Sequence, residues 1–347
     1  MTKRAGKAIA YLWLFFAAVL LYGCEEKKEG AAQFTDEVQL PITEVKNQGH
    51  SQYCWVYAML ATIETEHIVR GDSVSLSADY VIRQYLTEQT RRYYLSNFRE
   101  PIADRGVAPM LLRLIQRFGA EPTHSFQPRE QVDYSVLSRR LMQRTRLQPS
   151  LGEAMRQADD LLDEATGFLP LHVFMLSAEY TPLEFAHSVC RRDEYTTLTS
   201  FTHHPFGQSF AIEVPDNLYA DTCHNVPIDT LMQRIDRSLR AGHPVCWEGD
   251  ISEKGFSFKK GVADVAASVS KGATQAQRQR EFETRRTTDD HCMELCGLAH
   301  DRRGHRFFIA KNSWGPNNRF GGFMYLSYQY VKLKTIAVYL SKDTMQY

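Results

Sequence analysis

The sequence predicts an α+β fold with two lobes, a helical N-terminal lobe over about residues 36–170 and a lobe rich in antiparallel strands over about 171–347. Residues 74–170 carry apolar residues at helical spacing and few β-branched runs. After Phe168, short apolar runs separated by turn residues predominate. Helices followed by strands are typical of α+β proteins, and the cleft between two such lobes is a common place for an active site.

The composition is that of an ordinary globular protein. Of the 347 residues, 43% are hydrophobic and 24% are charged, which excludes a disordered, collagen-like or coiled-coil chain. The 41 basic residues are balanced by 41 acidic ones, so nothing indicates a nucleic-acid partner. Seven cysteines are too few for a disulfide scaffold. The sequence predicts no cofactor.

The N-terminus is predicted to be an export signal, which is left out of the fold. Three basic residues precede an apolar run at residues 8–22, shorter than the roughly 20 residues of a transmembrane helix. The run ends in Leu-Tyr-Gly-Cys at positions 21–24, which resembles the lipobox of bacterial lipoproteins. The resemblance implies a signal peptide over residues 1–23, a lipid on Cys24, a tether over residues 24–35 and a place in the cell envelope, anchored to a bacterial membrane and either periplasmic or surface-exposed. An uncleaved anchor is the alternative.

Cys54 is the cysteine best placed to act as a nucleophile. The apolar residues that follow it predict an amphipathic helix from Cys54 to Arg70. The positive end of a helix dipole lowers the pKa of a thiol and favours the reactive thiolate. Gln48, in a turn-like stretch six residues earlier, is predicted to join the Cys54 backbone N–H as an oxyanion donor. Cys246 is the alternative, but it lies in a strand-like run typical of inert, buried cysteines.

His291 and Asn312 are predicted to share one face of a β-hairpin. Residues 292–299 and 305–311 have the pattern of two strands joined by a turn over residues 301–304. A turn centred between residues 301 and 302 pairs His291 with Asn312, and a turn centred one residue later shifts the pairing by two positions on the same face. The asparagine amide then accepts a hydrogen bond from the imidazole and orients it. We therefore predict that His291 is the base.

These residues, in this order, resemble the papain-like cysteine peptidases. The matching segments are Asn47-Gln48, Cys54-Trp55, His291 and Asn312-Ser313-Trp314-Gly315. Ser51 stands where the papain signature has its first cysteine, and the interval from Cys54 to His291 is about 100 residues longer than the roughly 130–150 of that signature. Both departures are typical of the bleomycin hydrolase/aminopeptidase C branch, whose further motifs are matched at residues 202–206, 214–217, 247–256 and 287–291.

The resemblance extends over about residues 36–342 and implies a papain-like two-lobed fold with inserted helices. It also implies a cysteine peptidase that acts on peptide or protein substrates, in a family where oligomers occur. The implied site consists of Cys54 as nucleophile, His291 as base, Asn312 as the residue that orients the base, Gln48 as oxyanion donor and Trp314, beside the substrate, as a shield of the His–Asn hydrogen bond.

Aminopeptidase action is a further implication of the resemblance. In the resembled branch the C-terminus enters the cleft, where its carboxylate binds the free amine of the substrate. Residues 341–347 span at most about 23–25 Å when extended, so such an arm reaches the cleft only if the preceding strand ends near it. The alternatives are an endopeptidase of the same mechanism and a non-catalytic surface lipoprotein that binds peptides in this cleft.

No metal site is predicted. His203 and His204 are adjacent, and adjacent residues on a strand face opposite sides, with no carboxylate or cysteine at ligand spacing. Cys292 and Cys296 share one face of a predicted strand, but a single strand cannot surround a tetrahedral ion, so packing is the preferred interpretation. Any disulfide pairing is left open.

Overall fold

The computed structural model describes residues 33–175, 177–265 and 272–345. The predicted signal peptide, the lipidation site Cys24 and most of the predicted tether lie outside the described residues. The helices of the described part are α1 (Cys54–Val69), α2 (Ala78–Leu95), α3 (Ala108–Phe118), α4 (Tyr134–Arg146), α5 (Leu151–Thr166), α6 (Pro182–Val189), α7 (Ile228–Arg240), α8 (Gln275–Glu283) and α9 (Tyr328–Lys334), and a 3₁₀ helix (Lys342–Met345).

The strands of the described part are β1 (Phe34–Gln39), β2 (Val173–Met175), β3 (Ala178–Tyr180), β4 (Tyr195–Thr199), β5 (Ser209–Ala211), β6 (Thr222–Asn225), β7 (Val245–Gly249), β8 (Phe256–Ser257), β9 (Val262–Ala263), β10 (His291–Asp301), β11 (Arg306–Lys311), β12 (Phe323–Ser327) and β13 (Thr335–Ser341). The predicted α+β class is confirmed, because helices fill residues 54–166 and most strands follow.

Several helices begin directly after a polar residue that caps their first turn. Ser77, Asp133 and Ser150 each accept a hydrogen bond from a backbone N–H in the first turn of α2, α4 and α5. Such caps satisfy donors that have no partner within the helix. Helix α1 begins at Cys54 as predicted, but buried residues extend around its whole circumference. It is therefore a core helix, buried on all sides, rather than the amphipathic helix that the sequence indicates.

One large sheet organises the strand-rich part. Its strands lie in the order β5-β6-β4-β13-β7-β10-β11-β12-β9-β8, and β1 adds to β10. Neighbouring strands are antiparallel except for the pairs β4–β6 and β9–β12. Because β1 joins this sheet, the first described strand of the chain belongs to the strand-rich lobe, and it starts at Phe34, before the predicted domain start at Asp36.

The central strands separate two apolar cores. Along β7, Cys246 contributes to the core shared with α1, whereas its neighbour Trp247 contributes to the core shared with α7. The same alternation holds for Cys292 and Met293 on β10. Helix α1 contacts both β7 and β10, and its first residue, Cys54, lines one cavity together with His291 and Cys292, the first residues of β10. Among the described residues, no helix combines the length and the apolar character needed to cross a membrane.

Candidate active site

Cys54 lies at the N-terminus of α1, where the predicted nucleophile should be. Its side chain is largely buried, with 8% exposure. A hydrogen bond from the Cys292 side chain and a second from His291 hold the pKa of the Cys54 thiol well below its usual value, although burial acts in the opposite direction. The imidazolium charge of His291 lowers this pKa further. The site therefore favours a thiolate beside an imidazolium.

His291 and Asn312 are joined by a hydrogen bond of 2.7 Å between Nε2 and Oδ1. An amide oxygen can only accept, so Nε2 carries the proton and Nδ1 is left for the thiol. Asn312 Oδ1 also accepts from the Ser313 backbone N–H at 2.8 Å, which fixes the orientation of the amide. The Trp314 ring lies 4.7 Å from the imidazole, centroid to centroid, and covers this pair. Both polar residues are almost completely buried.

A β-bulge brings His291 and Asn312 to the same face of the sheet. Near the turn, the β10–β11 register pairs Gly297 with Ile309, but beyond Cys296 it pairs Leu295 with Ala310. Cys296 is the extra residue, and one extra residue exchanges the two faces of a strand. Without it, His291 and Asn312 would lie on opposite faces. On the site side of the bulge, the register is the one that the sequence predicts for a turn centred between residues 302 and 303.

Gln48 is tied to the segment that carries Asn312. Its Oε1 accepts from Ser313 Oγ at 2.6 Å, and its backbone N–H donates to the Ser313 carbonyl at 2.8 Å. Its Nε2 donates to the Ser51 carbonyl at 2.6 Å, which leaves one amide hydrogen uncommitted. Lys46, two residues earlier, is bound to Glu64 of α1 at 2.6 Å. The loop before Cys54 is thus held by both α1 and the Asn312 segment.

A cavity of about 230 Å³ opens at the thiol. Its lining residues are Gln52, Cys54, Arg105, Gly106, Asp216, Asp289, Asp290, His291 and Cys292. Glycine at position 106 lets this part of the cavity wall pack against Trp55, because a Cβ at Gly106 would lie 2.8 Å from the Trp55 ring. Two larger cavities, of about 610 and 720 Å³, have neither cysteine nor histidine in their described linings.

Sequence reasoning missed several residues of this cavity. Asp216 and Asp289 lie in motifs that the resemblance singled out, but neither was predicted to be a site residue. Cys292 was interpreted as a packing residue, whereas it lines the cavity together with Cys54 and lowers the pKa of the Cys54 thiol. Its position next to the predicted base was the signal that could have identified it. All six cysteines of the described residues are free and buried.

The two adjacent histidines do not face opposite sides. His203 and His204 lie in a turn rather than a strand, and their Nε2 atoms contact the two carboxylate oxygens of Glu213 at 2.6 and 2.8 Å. The expectation that no carboxylate lies within ligand reach is therefore wrong. The three side chains offer ligand atoms within 4.8 Å of one another, so they could hold a metal ion. In this structure both imidazoles are hydrogen-bonded to Glu213 instead, and none of the three residues lines the cavity at Cys54.

The last strand runs away from the site. Thr335 and His291 both pair with Gly249, so they lie at one end of the sheet, and Ser341 lies at the other end. Beyond it, Asp343 lies 3.8 Å from Arg70, which follows the C-terminal end of the 16-residue helix that Cys54 begins. Such a helix is about 24 Å long. The last strand therefore ends far from Cys54, whereas the implied C-terminal arm requires a strand that ends near the cleft.

Comparisons with known proteins agree with this fold. The profile of the Peptidase C1-like family matches residues 172–346. Aminopeptidase G of Lactobacillus delbrueckii subsp. lactis is 22% identical, over 95% of this chain and 89% of its own length. The crystal structure of PepW from Lactobacillus rhamnosis HN001 has a similar fold, with a TM-score of 0.70 at 17% identity, over 99% of this chain and 90% of that chain.

Proposed function

Since the chain belongs to the Peptidase C1-like family, we propose that it hydrolyses peptide bonds with Cys54 as nucleophile, His291 as base and Asn312 as the residue that orients the base. The observation that supports these roles most directly is the 2.7 Å hydrogen bond between His291 and Asn312. It orients the imidazole so that its other nitrogen is available to the thiol at the start of α1.

The proposed reaction has two steps. The Cys54 thiolate attacks the carbonyl carbon, and the oxyanion accepts hydrogen bonds from the Cys54 backbone N–H and the uncommitted amide hydrogen of Gln48. His291 donates its proton to the leaving amine as the C–N bond breaks, which leaves an acyl-thioester. His291 then takes a proton from water, the hydroxide attacks the thioester, and Cys54 is released. Trp314 excludes water from the His291–Asn312 pair.

We further propose that the enzyme is an aminopeptidase. The relative that matches 95% of this chain is named Aminopeptidase G. Because residues 341–345 lie at the opposite end of β13 and α1 from Cys54, recognition of the amine is assigned to residues of the cavity rather than to a C-terminal arm. An endopeptidase of the same mechanism remains the second candidate, favoured by the cavity at Cys54, which the described C-terminal residues do not line.

Two versions of one fluorogenic peptide, with a free and with a blocked N-terminus, separate these candidates. An aminopeptidase cleaves the free-amine peptide faster, and a variant that lacks residues 343–347 should keep this preference. Efficient cleavage of the blocked peptide identifies an endopeptidase. A preference that disappears on truncation would show that the C-terminal residues contact the substrate after all.

A thiol alkylator tests the catalytic assignment against a non-catalytic peptide-binding role. One fast-reacting thiol per chain is expected in the wild type and none in Cys54→Ser. A Cys246→Ala variant is the matched control, because Cys246 is also buried beside α1 but is assigned no role, and it should keep the fast reaction. Absence of any fast-reacting thiol in the wild type favours the non-catalytic role.

We also propose that the protein is a lipoprotein of the cell envelope, anchored through Cys24. The support is the basic, apolar and Leu-Tyr-Gly-Cys sequence of residues 1–24. Expression in a bacterial host with a radiolabelled fatty acid should label the wild type and not Cys24→Ala. Labelling of both proteins, or of neither, contradicts the proposal.

A further inference from the structure

Four carboxylates lie around the Cys54 thiol. Asp216, Asp289 and Asp290 line the same cavity as Cys54. Glu248 lies on β7, directly opposite Cys292 of β10. Glu248 is not among the described residues that line the cavity, but the charges of Cys54 and Asp216 act on its carboxyl and its own charge acts on Asp289. These acidic residues form the carboxylate pocket (Asp216, Glu248, Asp289 and Asp290), which three separate segments of the chain contribute.

Positive charge is scarce in this pocket. Of the described residues that line the cavity, Arg105 and His291 are the basic ones. Arg105 is half-exposed and lies 3.5 Å from Asp216, while His291 is assigned to the thiol. Within the described chain, neither Glu248 nor Asp289 forms an ion pair. The carboxylates of the pocket therefore have few basic partners among the described residues.

Among the described residues, two oxygens of the carboxylate pocket have no hydrogen-bond partner. Glu248 is fully buried, and its Oε2 accepts from the Tyr339 hydroxyl, but its Oε1 is unpartnered within the described residues. Asp289 Oδ2 is likewise buried and unpartnered. Burial raises the pKa of Glu248 to about 8, and burial together with the charge of Glu248 raises the pKa of Asp289. Burial thus disfavours the ionised form of these two carboxyl groups, and a cation that donates hydrogen bonds to their unpartnered oxygens would stabilise that form.

We propose that the carboxylate pocket binds a cationic group of the substrate, an ammonium or a guanidinium, next to the scissile bond. The inference rests on the proposed peptidase function and adds to it the class of substrate. Charge-assisted hydrogen bonds to carboxylates are among the strongest that proteins form, and partial burial of the pocket strengthens them. The cation has two sources, the side chain of a lysine or arginine and the free α-amine of the peptide.

Kinetics on matched fluorogenic peptides tests the proposal. One series has a blocked N-terminus and carries arginine, its neutral isostere citrulline, or glutamate at one of the two residues before the cleaved bond. A second series places alanine there and compares a free with a blocked N-terminus. A higher kcat/KM for arginine identifies the side chain as the source, and a higher kcat/KM for the free amine identifies the α-amine. We expect a ratio of about 10- to 100-fold, as for a hydrogen bond to a charged group.

Variants of the pocket assign the effect to its carboxylates. In Glu248→Gln and in Asp289→Asn, the ratio of kcat/KM for the preferred cationic peptide to kcat/KM for its neutral counterpart should fall towards one. The alkylation of Cys54 should remain fast in both variants. Asp229→Asn is the matched control, since Asp229 is an exposed carboxylate paired with Lys332 elsewhere, and it should leave the ratio unchanged. Should Glu248→Gln fail to fold, Asp289→Asn decides. Equal rates for charged and neutral peptides, or a preference that persists in the variants, overturn the proposal.

A binding experiment separates failure of this inference from failure of the peptidase function. Butylguanidine should slow the alkylation of Cys54 by iodoacetamide, and its neutral isostere butylurea should not. The protection should be lost in Asp289→Asn. If no peptide is cleaved, the peptidase function fails, and this experiment decides the inference: selective protection supports the carboxylate pocket, and equal protection by both compounds or by neither overturns it.

Discussion

Replacement of Cys292 by alanine is expected to raise the pKa of Cys54 and to slow its alkylation at low pH about tenfold. The hydrogen bond from the Cys292 side chain is the largest single contribution that lowers this pKa, and His291 adds a hydrogen bond and its charge. Hydrogen bonds to charged groups are worth about 1.5–3 kcal/mol, and a thiol is a weak donor, so the lower end of this range applies. About 1.4 kcal/mol is a factor of ten in an equilibrium, so loss of the donor should lower the thiolate fraction at low pH, and with it the rate of alkylation, about tenfold.

The rate of alkylation by iodoacetamide, measured against pH, reports this pKa. Burial raises the pKa of the other buried thiols, among them Cys190, Cys223 and Cys246, so Cys54 should dominate the fast phase. Cys292→Ser restores a donor and should move the profile back towards the wild type. Cys223→Ala is the control, because Cys223 is buried but does not act on Cys54. Superimposable profiles for the wild type and Cys292→Ala refute the reasoning.

Three further predictions concern the base, the carboxylate pocket and the sheet. Asn312→Ala should keep the low-pH limb of alkylation but lower kcat on the fluorogenic peptide by at least about tenfold. The base is no longer oriented in this variant, and general acid–base catalysis contributes roughly 10²–10⁴-fold. An unchanged kcat contradicts the assignment. Glu248 has a pKa that is raised from 4.5 to about 8 on folding, so its contribution to stability is present below pH 4.5 and lost as the pH rises through 8. Between pH 4.5 and pH 8, the Tm of Glu248→Gln should therefore fall less than the Tm of the wild type. Parallel curves of Tm against pH contradict this. Gly297→Ala places a Cβ 2.3 Å from a backbone oxygen of β1 and should lower the free energy of unfolding, measured with denaturant, by about 1–3 kcal/mol. Gly152→Ala is the control, because open space surrounds Gly152, and it should not destabilise the protein. Equal stability of the two variants contradicts the packing argument.

Local patterns predicted the positions of the elements that carry the candidate site. The apolar spacing after Cys54 predicted helix α1, and the two apolar runs around residues 301–304 predicted the hairpin of β10 and β11. Other elements were less predictable. Residues 169–176 have the pattern of one strand, but only Val173–Met175 forms one before the turn to β3. Phe34–Gln39 was not expected in the sheet, because its partner is more than 250 residues away in sequence.

The sequence by itself determined the chemistry of the site: a cysteine at a helix start, and a histidine and an asparagine on one hairpin. Only the tertiary structure decided their geometry. The bulge at Cys296 leaves no signature in the apolar pattern, yet it selects the face on which His291 meets Asn312, because side chains alternate with a period of two. The carboxylate pocket was likewise invisible in the sequence. Asp216, Glu248 and Asp289 lie on separate segments, and their charges act on one thiol only because folding brings those segments together around α1.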